Sequence, residues 1–161
     1  MDSCEVILMR ICLLALIFCL PVQAASLNLG FGPSLDGTLG TVKALSLGTE
    51  FQWGAFSLEP EGGIWNELTG GLGGYGGVTA GVHVTTPDGI FARAAAGPVA
   101  ITQTDNQLST WYEFNLKLRG GLEWKSFSVW LEFWHMSNAG TGGPNLGRDV
   151  LQFGVGVPLG G

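Results

Sequence analysis

The strongest constraint on the fold of this chain is an alternation of apolar and polar residues within segments of strand length. The clearest segment runs from Trp111 to Trp124. One of its faces carries Tyr112, Phe114, Leu116, Leu118, Leu122 and Trp124, and the other carries Glu113, Asn115, Lys117, Arg119 and Glu123. A period of two residues is typical of a β-strand whose two faces meet different surroundings. The segment therefore predicts a strand with one apolar and one ionic face.

Clusters of Gly, Pro, Asn and Asp divide the rest of the chain into similar segments, which predicts an all-β fold. Eight strands are expected, at about 27–33, 40–53, 55–66, 75–86, 90–103, 110–124, 127–137 and 149–159. The glycine-rich run 70–77 lacks the Lys-Ser/Thr pair of a phosphate-binding loop. We interpret this run as a flexible turn and bend ahead of the fourth strand.

The polar faces of these strands collect more charges than the dry core of a soluble domain tolerates. They carry Glu50, Glu59, Glu61, Arg93, Glu113, Lys117, Arg119 and Glu132. A transmembrane barrel places such residues in its lumen and its apolar residues against lipid. We therefore predict an eight-stranded antiparallel transmembrane β-barrel of the outer-membrane type. A secreted barrel or sandwich is the alternative.

The first 24 residues are typical of a secretion signal. The apolar run 11–22 is too short to cross a bilayer as a helix, follows Arg10 and is broken by Pro21. We expect cleavage after Ala24, which leaves residues 25–161 as a single barrel domain; a retained anchor is the alternative. The three cysteines, Cys4, Cys12 and Cys19, all lie in this leader, so no disulfide or thiolate site is expected in the barrel.

Other polar residues have structural interpretations. The net charge of −6 and the lack of a basic patch argue against a nucleic-acid partner. His83 lies on a polar strand face without a second His or Cys nearby, which favours a hydrogen bond in the lumen over a metal site. Glu59 and Glu61 are predicted to face Arg93, Lys117 or Arg119 across the lumen. The six tryptophans are expected to be interfacial anchors or lumen filler, and no metal or cofactor is expected.

Residues 127–159 carry a possible catalytic set. Strand alternation places His135 and Ser137 on the apolar face of the seventh strand and Asp149 on the apolar face of the eighth. Antiparallel pairing of the two strands can bring Asp149 beside His135. A serine, an imidazole and a carboxylate in reach of one another are the elements of a nucleophilic triad. The loop 138–147 can supply backbone N–H groups and the Asn138 or Asn145 amide to an oxyanion.

The same spacing also fits polar residues at the rim of a barrel, with Ser137-Asn138 starting a turn. A non-enzymatic structural or adhesion barrel therefore stays open as an alternative function. A secreted lipocalin-like binder is a third possibility, and it would stay soluble without detergent.

The run 135–140, His-Met-Ser-Asn-Ala-Gly, is followed by Pro-Asn-Leu-Gly at 144–147 and by an acid at position 149. This pattern resembles the C-terminal motif of the outer-membrane lipid A 3-O-deacylases of the PagL type. The resemblance implies an eight-stranded barrel in the outer membrane of a Gram-negative bacterium that removes the 3-linked acyl chain from the lipid A of lipopolysaccharide. It implies lipid A and outer-membrane lipid as partners. The sequence leaves a monomer and a homodimer open, and no cofactor is expected.

Carried over by position, the resemblance makes Ser137 the nucleophile, His135 the base and Asp149 the acidic member of the triad. It assigns Asn138, Gly140 and Asn145 to the loop associated with the oxyanion. The family's acid is usually Glu, and Asp149 is one methylene shorter. Asp149 must therefore lie closer to His135 to orient its ring.

Overall fold

The computed structural model describes residues 22–35, 43–66, 71–104, 108–141 and 146–160. These residues form eight antiparallel strands that close into a barrel in chain order, with the first strand paired to the last. The strands are β1 (Ala24–Pro33), β2 (Lys43–Trp53), β3 (Phe56–Asn66), β4 (Leu72–Thr85), β5 (Ile90–Ile101), β6 (Tyr112–Glu123), β7 (Ser128–Ser137) and β8 (Arg148–Pro158). The predicted all-β barrel is confirmed. In the described part of the chain, no helix is long and apolar enough to cross a membrane.

Two strands begin earlier than predicted. β1 starts at Ala24, and β4 starts at Leu72, so most of the run that we interpreted as a turn and bend is strand. Lumen aromatics explain one glycine of β4 and one of β3: Trp65 pairs across the sheet with Gly73, and Tyr75 pairs with Gly63. In each pair the ring occupies the space that a side chain on the glycine would need. Gly70, the start predicted for β2 at 40–42, and residues 1–21 of the predicted leader lie outside the described residues.

The two surfaces of the barrel have opposite polarity, as the alternation predicts. On β6, Leu116 and Leu118 are 48% and 52% exposed, whereas Lys117 between them is 1% exposed. All eight charged residues assigned to the polar faces are buried in the lumen. The tryptophans divide as expected: Trp53, Trp111 and Trp124 are not buried and lie at strand ends, and Trp65, Trp130 and Trp134 fill the lumen. An apolar exterior around a charged interior is the arrangement of a barrel that sits in lipid.

The middle of the lumen is an ionic network. Arg119 lies between two carboxylates, with its Nε 2.8 Å from Glu132 Oε2 and its Nη2 3.0 Å from Glu59 Oε1. Arg93 Nη1 donates to Glu59 Oε2 at 2.8 Å. Lys117 contacts both Glu61 and Glu132. The predicted pairing of Glu59 and Glu61 with lumen cations is confirmed, and it compensates for the cost of burying these charges.

The two ends of the barrel differ. At one end, short connections at 54–55, 86–89 and 124–127 join the strands, and this is called the turn end. The other end, called the loop end, carries the longer connections, including the one between β7 and β8. His83 lies in the lumen toward the turn end, where its Nδ1 is 2.9 Å from Glu50 Oε1 and 3.0 Å from Gln52 Nε2. The predicted lumen hydrogen bond of His83 is confirmed. Among the described residues, no three His, Cys, Asp or Glu side chains lie close enough together to hold a metal ion.

Candidate active site

His135 and Asp149 are directly opposite each other in the β7–β8 ladder, near the loop end. Both side chains point to the exterior, because their strand neighbours Trp134, Met136 and Val150 point into the lumen. The His135 Nδ1 lies 2.6 Å from Asp149 Oδ1, which is the short distance of a charge-assisted hydrogen bond. The His135 and Asp149 side chains are 36% and 38% exposed. The short aspartate therefore reaches the ring, and it does so on the face that meets lipid.

Ser137 is two residues beyond His135 on the same face and is the last residue of β7. It pairs with Phe114 of β6, and His135 pairs with Leu116, so apolar side chains lie beside both polar ones. Among the hydrogen bonds of the described residues, none joins the Ser137 hydroxyl to the His135 ring. Catalytic hydrogen bonds are often long without substrate and tighten in the Michaelis complex. Because Asp149 occupies Nδ1, the Nε2 atom is the one available to accept a proton from a hydroxyl.

The backbone turns sharply directly after Ser137. Ala139 has a φ of 52° and Gly140 a φ of 76°, and a positive φ is uncommon for an alanine. The buried Asn138 side chain holds this turn: its Oδ1 accepts a hydrogen bond from the Gly140 N–H at 2.9 Å, and its Nδ2 donates to Ser109 Oγ at 3.3 Å. Strained backbone of this kind is concentrated at functional sites.

A hydrogen bond between the Asn138 amide and the Gly140 N–H therefore holds the turn together. Asn145, the third residue assigned to the oxyanion loop, lies outside the described residues.

An apolar cluster in the lumen supports the site from behind. Trp134, Met136 and Val150 alternate with the site residues along β7 and β8, and each is 0% exposed. They pack with the rings of Trp65 and Tyr75, of which Tyr75 lies 5.7 Å from Trp134. Packing at this density holds a strand at a fixed position, which is what a catalytic side chain on its other face requires.

Two residues beside the site were not predicted from the sequence. Arg148 is 2% exposed, and its guanidinium carbon lies 4.9 Å from the Trp65 ring, a cation–π contact under the β7–β8 hairpin. Its place in the lumen follows from alternation with Asp149, so the pattern contained this signal. Gly147 lies against the His135 ring, and no period or motif rule reports a contact of that kind.

Comparisons with known proteins agree with this geometry. The family model described as lipid A 3-O-deacylase (PagL) matches residues 26–158, which is most of the chain. The chain belongs to the PagL family. Members of this family are outer-membrane ester hydrolases that act on lipid A, so the predicted family and the localisation in a Gram-negative outer membrane are confirmed. A comparison with curated protein sequences found no match.

Solved structures show the same fold as this PagL family member. The crystal structure of the outer-membrane enzyme PagL has a TM-score of 0.69 at 19% identity, covering 83% of this chain and 99% of that one. A de novo designed transmembrane β-barrel has a TM-score of 0.60 at 11% identity, covering 87% and 98%. The Yersinia pestis outer-membrane protein Ail has a TM-score of 0.52 at 12% identity, covering 84% and 99%. At these identities the structures support the fold, and the match to the family carries the function.

Proposed function

We propose that this protein is a serine esterase that removes the 3-O-linked acyl chain from lipid A, with Ser137 as nucleophile, His135 as base and Asp149 as the acid that orients His135. The observation that carries the proposal is the 2.6 Å contact between His135 Nδ1 and Asp149 Oδ1 on the exterior of the barrel. A structural role does not require a paired imidazole and carboxylate there, because polar groups facing hydrocarbon are costly. The neighbouring Ser137 gives the pair a function.

The reaction has two balanced steps. Ser137 Oγ attacks the ester carbonyl while His135 Nε2 accepts the hydroxyl proton. The tetrahedral intermediate collapses, and His135 returns the proton to the departing sugar hydroxyl, which leaves an acyl group on Ser137. Water then attacks this acyl-enzyme with His135 again as base, and a free fatty acid and the original serine result. Asp149 keeps the Nδ1–H oriented and stabilises the imidazolium in both steps.

The loop that follows Ser137 is the proposed source of oxyanion stabilisation. Asn138, Gly140 and Asn145 are assigned to it through the resemblance to the family. The turn at Ala139 and Gly140 supports the assignment, because its positive φ angles aim backbone N–H groups differently from those of the strand. Substrate entry would then exchange the internal Asn138–Gly140 hydrogen bond for one to the oxyanion.

The height of Ser137 on the barrel supports an ester substrate of the outer leaflet. The exposed face of β7 ends at Ser137 on one side. On the other side, at the turn end, it ends at the aromatic pair Trp124 and Phe127, whose rings are 4.7 Å apart. The ten residue steps from Phe127 to Ser137 span roughly 33 Å at about 3.3 Å per step. With strands tilted by about 40°, this is roughly 25 Å along the membrane normal, the height of the apolar band of an outer-membrane barrel. Ser137 would thus sit where hydrocarbon meets head groups, which is where acyl esters lie.

The test is hydrolysis of lipid A by the protein refolded in detergent micelles, followed by mass spectrometry. We expect the loss of one acyl chain from the parental protein, and fragmentation spectra should place the loss at the 3-position. Ser137→Ala and His135→Ala should each lower the rate by roughly 1,000-fold or more, because triad members act as a unit. The barrels should stay folded, since both side chains lie on the exterior.

Ser128→Ala is the matched control, because Ser128 is in the same strand at the opposite end. It should retain the parental rate. Parental hydrolysis by Ser137→Ala would refute the assignment of the nucleophile. An intact barrel that releases no acyl chain would favour the non-enzymatic alternative, and release from another position would refute the 3-O assignment.

A further inference from the structure

Gly147 makes an unusually close approach to the candidate base. It lies directly before β8 with a φ of +75°. A methyl group added at this glycine would lie 2.6 Å from His135 Cε1, 3.2 Å from His135 Nε2 and 3.2 Å from the Met136 carbonyl oxygen. Real side-chain carbons do not approach other atoms to 2.6 Å, so the imidazole occupies space that any L side chain at position 147 would need.

The backbone conformation alone does not explain this contact. Gly54, Gly140 and Gly160 also have positive φ angles, and a methyl group on any of them would have no atom within 4 Å. At Gly89 the methyl group would meet backbone atoms of Glu123. Among the described glycines with positive φ, Gly147 alone faces a side chain, and that side chain is His135.

We propose that Gly147 is a positioning residue that seats the His135 imidazole, so that Nε2 stays aimed at the Ser137 hydroxyl. This inference rests on the proposed function. Asp149 restrains the ring at Nδ1, and Gly147 limits its movement along the adjacent edge, formed by Cε1 and Nε2. Both contacts matter because the ring is about one-third exposed, so a single hydrogen bond would leave it free to tilt.

The structure sets the size of the effect. To restore an ordinary contact of 3.4 Å with a methyl group at 147, the imidazole would have to move by about 0.8 Å. Catalytic side chains work within about 0.5 Å of their productive position, and a misplacement of about 1 Å can lower the rate roughly 100-fold. Because the displaced group is a base and not a substrate contact, kcat should fall and KM should not change.

Two substitutions separate this steric role from backbone strain. Gly147→Ala adds a β-carbon and also strains the positive φ, whereas Gly147→Asn adds a β-carbon in a residue that tolerates that conformation. We expect both to lower kcat on lipid A roughly 100-fold with KM within about twofold of the parent. Gly54→Ala has the same kind of backbone strain with open space around it, so it should retain parental kcat. Parental activity of Gly147→Asn would overturn the proposal.

A second measurement does not depend on activity. The chain has two histidines, so ¹³C-labelled imidazoles give one Cε1 resonance from His135 and one from His83. The His83 resonance serves as the internal reference. We expect the His135 Cε1 resonance to shift in both Gly147 variants, while it stays in place in Gly54→Ala. In the unmodified protein, a nuclear Overhauser effect should connect Gly147 Hα to His135 Hε1.

Absence of the nuclear Overhauser effect between Gly147 and His135 would overturn the proposal even if the variants fail to fold. A loss of kcat without a shift of the His135 resonance would also overturn it. If the parental protein releases no acyl chain while the resonance behaves as expected, the proposed function fails and the seating of the ring stands.

Discussion

Replacing Asp149 by asparagine tests how much of the activity depends on the carboxylate. Asp149→Asn conserves shape but removes the charge that accepts the Nδ1–H at 2.6 Å. In a buried triad, the equivalent change lowers kcat roughly 10,000-fold, because the amide favours the wrong tautomer. The pair in this protein is 36% and 38% exposed, and at its proposed height beside the head groups, interfacial water and head-group charges screen the carboxylate in part.

The expected loss is therefore smaller. A hydrogen bond to a charged group contributes about 1.5–3 kcal/mol, and we take this range for the partly exposed pair. At about 1.4 kcal/mol per factor of ten, kcat on lipid A should fall roughly 10- to 100-fold. Asp149→Glu keeps the charge and should retain more activity than Asp149→Asn.

The assay is the initial rate of fatty-acid release from lipid A in mixed micelles, measured over a range of substrate concentrations. The fall should appear in kcat, because Asp149 contacts His135 and not the substrate. Parental kcat for Asp149→Asn would show that the carboxylate does not orient the base. If Asp149→Asn is as inactive as Ser137→Ala, the smaller loss of kcat that we expect from exposure is wrong. The site would then behave as a buried triad.

Two further predictions concern the stability of the barrel, measured by urea unfolding in detergent with tryptophan fluorescence. Lys117→Met should lower the free energy of unfolding by about 3–5 kcal/mol, because it removes the cation that Glu61 contacts and one of the two that Glu132 contacts. Adding Glu61→Gln should recover part of the loss, and equal stability of the single variant and the parent would contradict the network. Gly73→Ala should cost about 1–3 kcal/mol because the new methyl group meets the Trp65 ring, whereas Gly76→Ala, whose nearest neighbour would be 3.9 Å away, should be near neutral. Equal effects of the two glycine variants would show that ring packing does not explain the glycines of β4.

Alternation along the strands was sufficient to predict most of the fold. The eight lumen charges could be assigned to the interior because each falls on the face opposite a row of apolar residues, and strand geometry permits no other placement. The same rule placed His135, Ser137 and Asp149 on the exterior. The register that puts His135 opposite Asp149 was expected only as a possibility, because a long loop does not determine how two strands align.

The features that sequence patterns missed depend on distances between strands. The predicted start of β4 is three residues too late, because a glycine indicates a turn unless a ring of the partner strand fills its space. The pairing of Gly73 with Trp65 joins two strands and is not visible within one segment. The contact between Gly147 and His135 depends on the path of the loop end across the tilted sheet. No residue pattern along one strand contains that information.

A filled lumen agrees with the placement of the proposed chemistry on the outside of the barrel. Ionic pairs occupy the middle of the barrel, and Trp65, Trp134 and Met136 occupy it at the loop end, each 0% exposed, so these side chains leave the site no access from within. A shift of β7 by one residue would exchange the two faces, placing His135 among the lumen aromatics and Trp134 in lipid. The packing that stabilises the interior therefore also fixes which residues meet the membrane. In the proposed mechanism, a substrate embedded in the outer leaflet would reach Ser137 by lateral diffusion, so the site would need no aqueous pocket. The lumen cluster would then hold the strands that carry the proposed catalytic side chains.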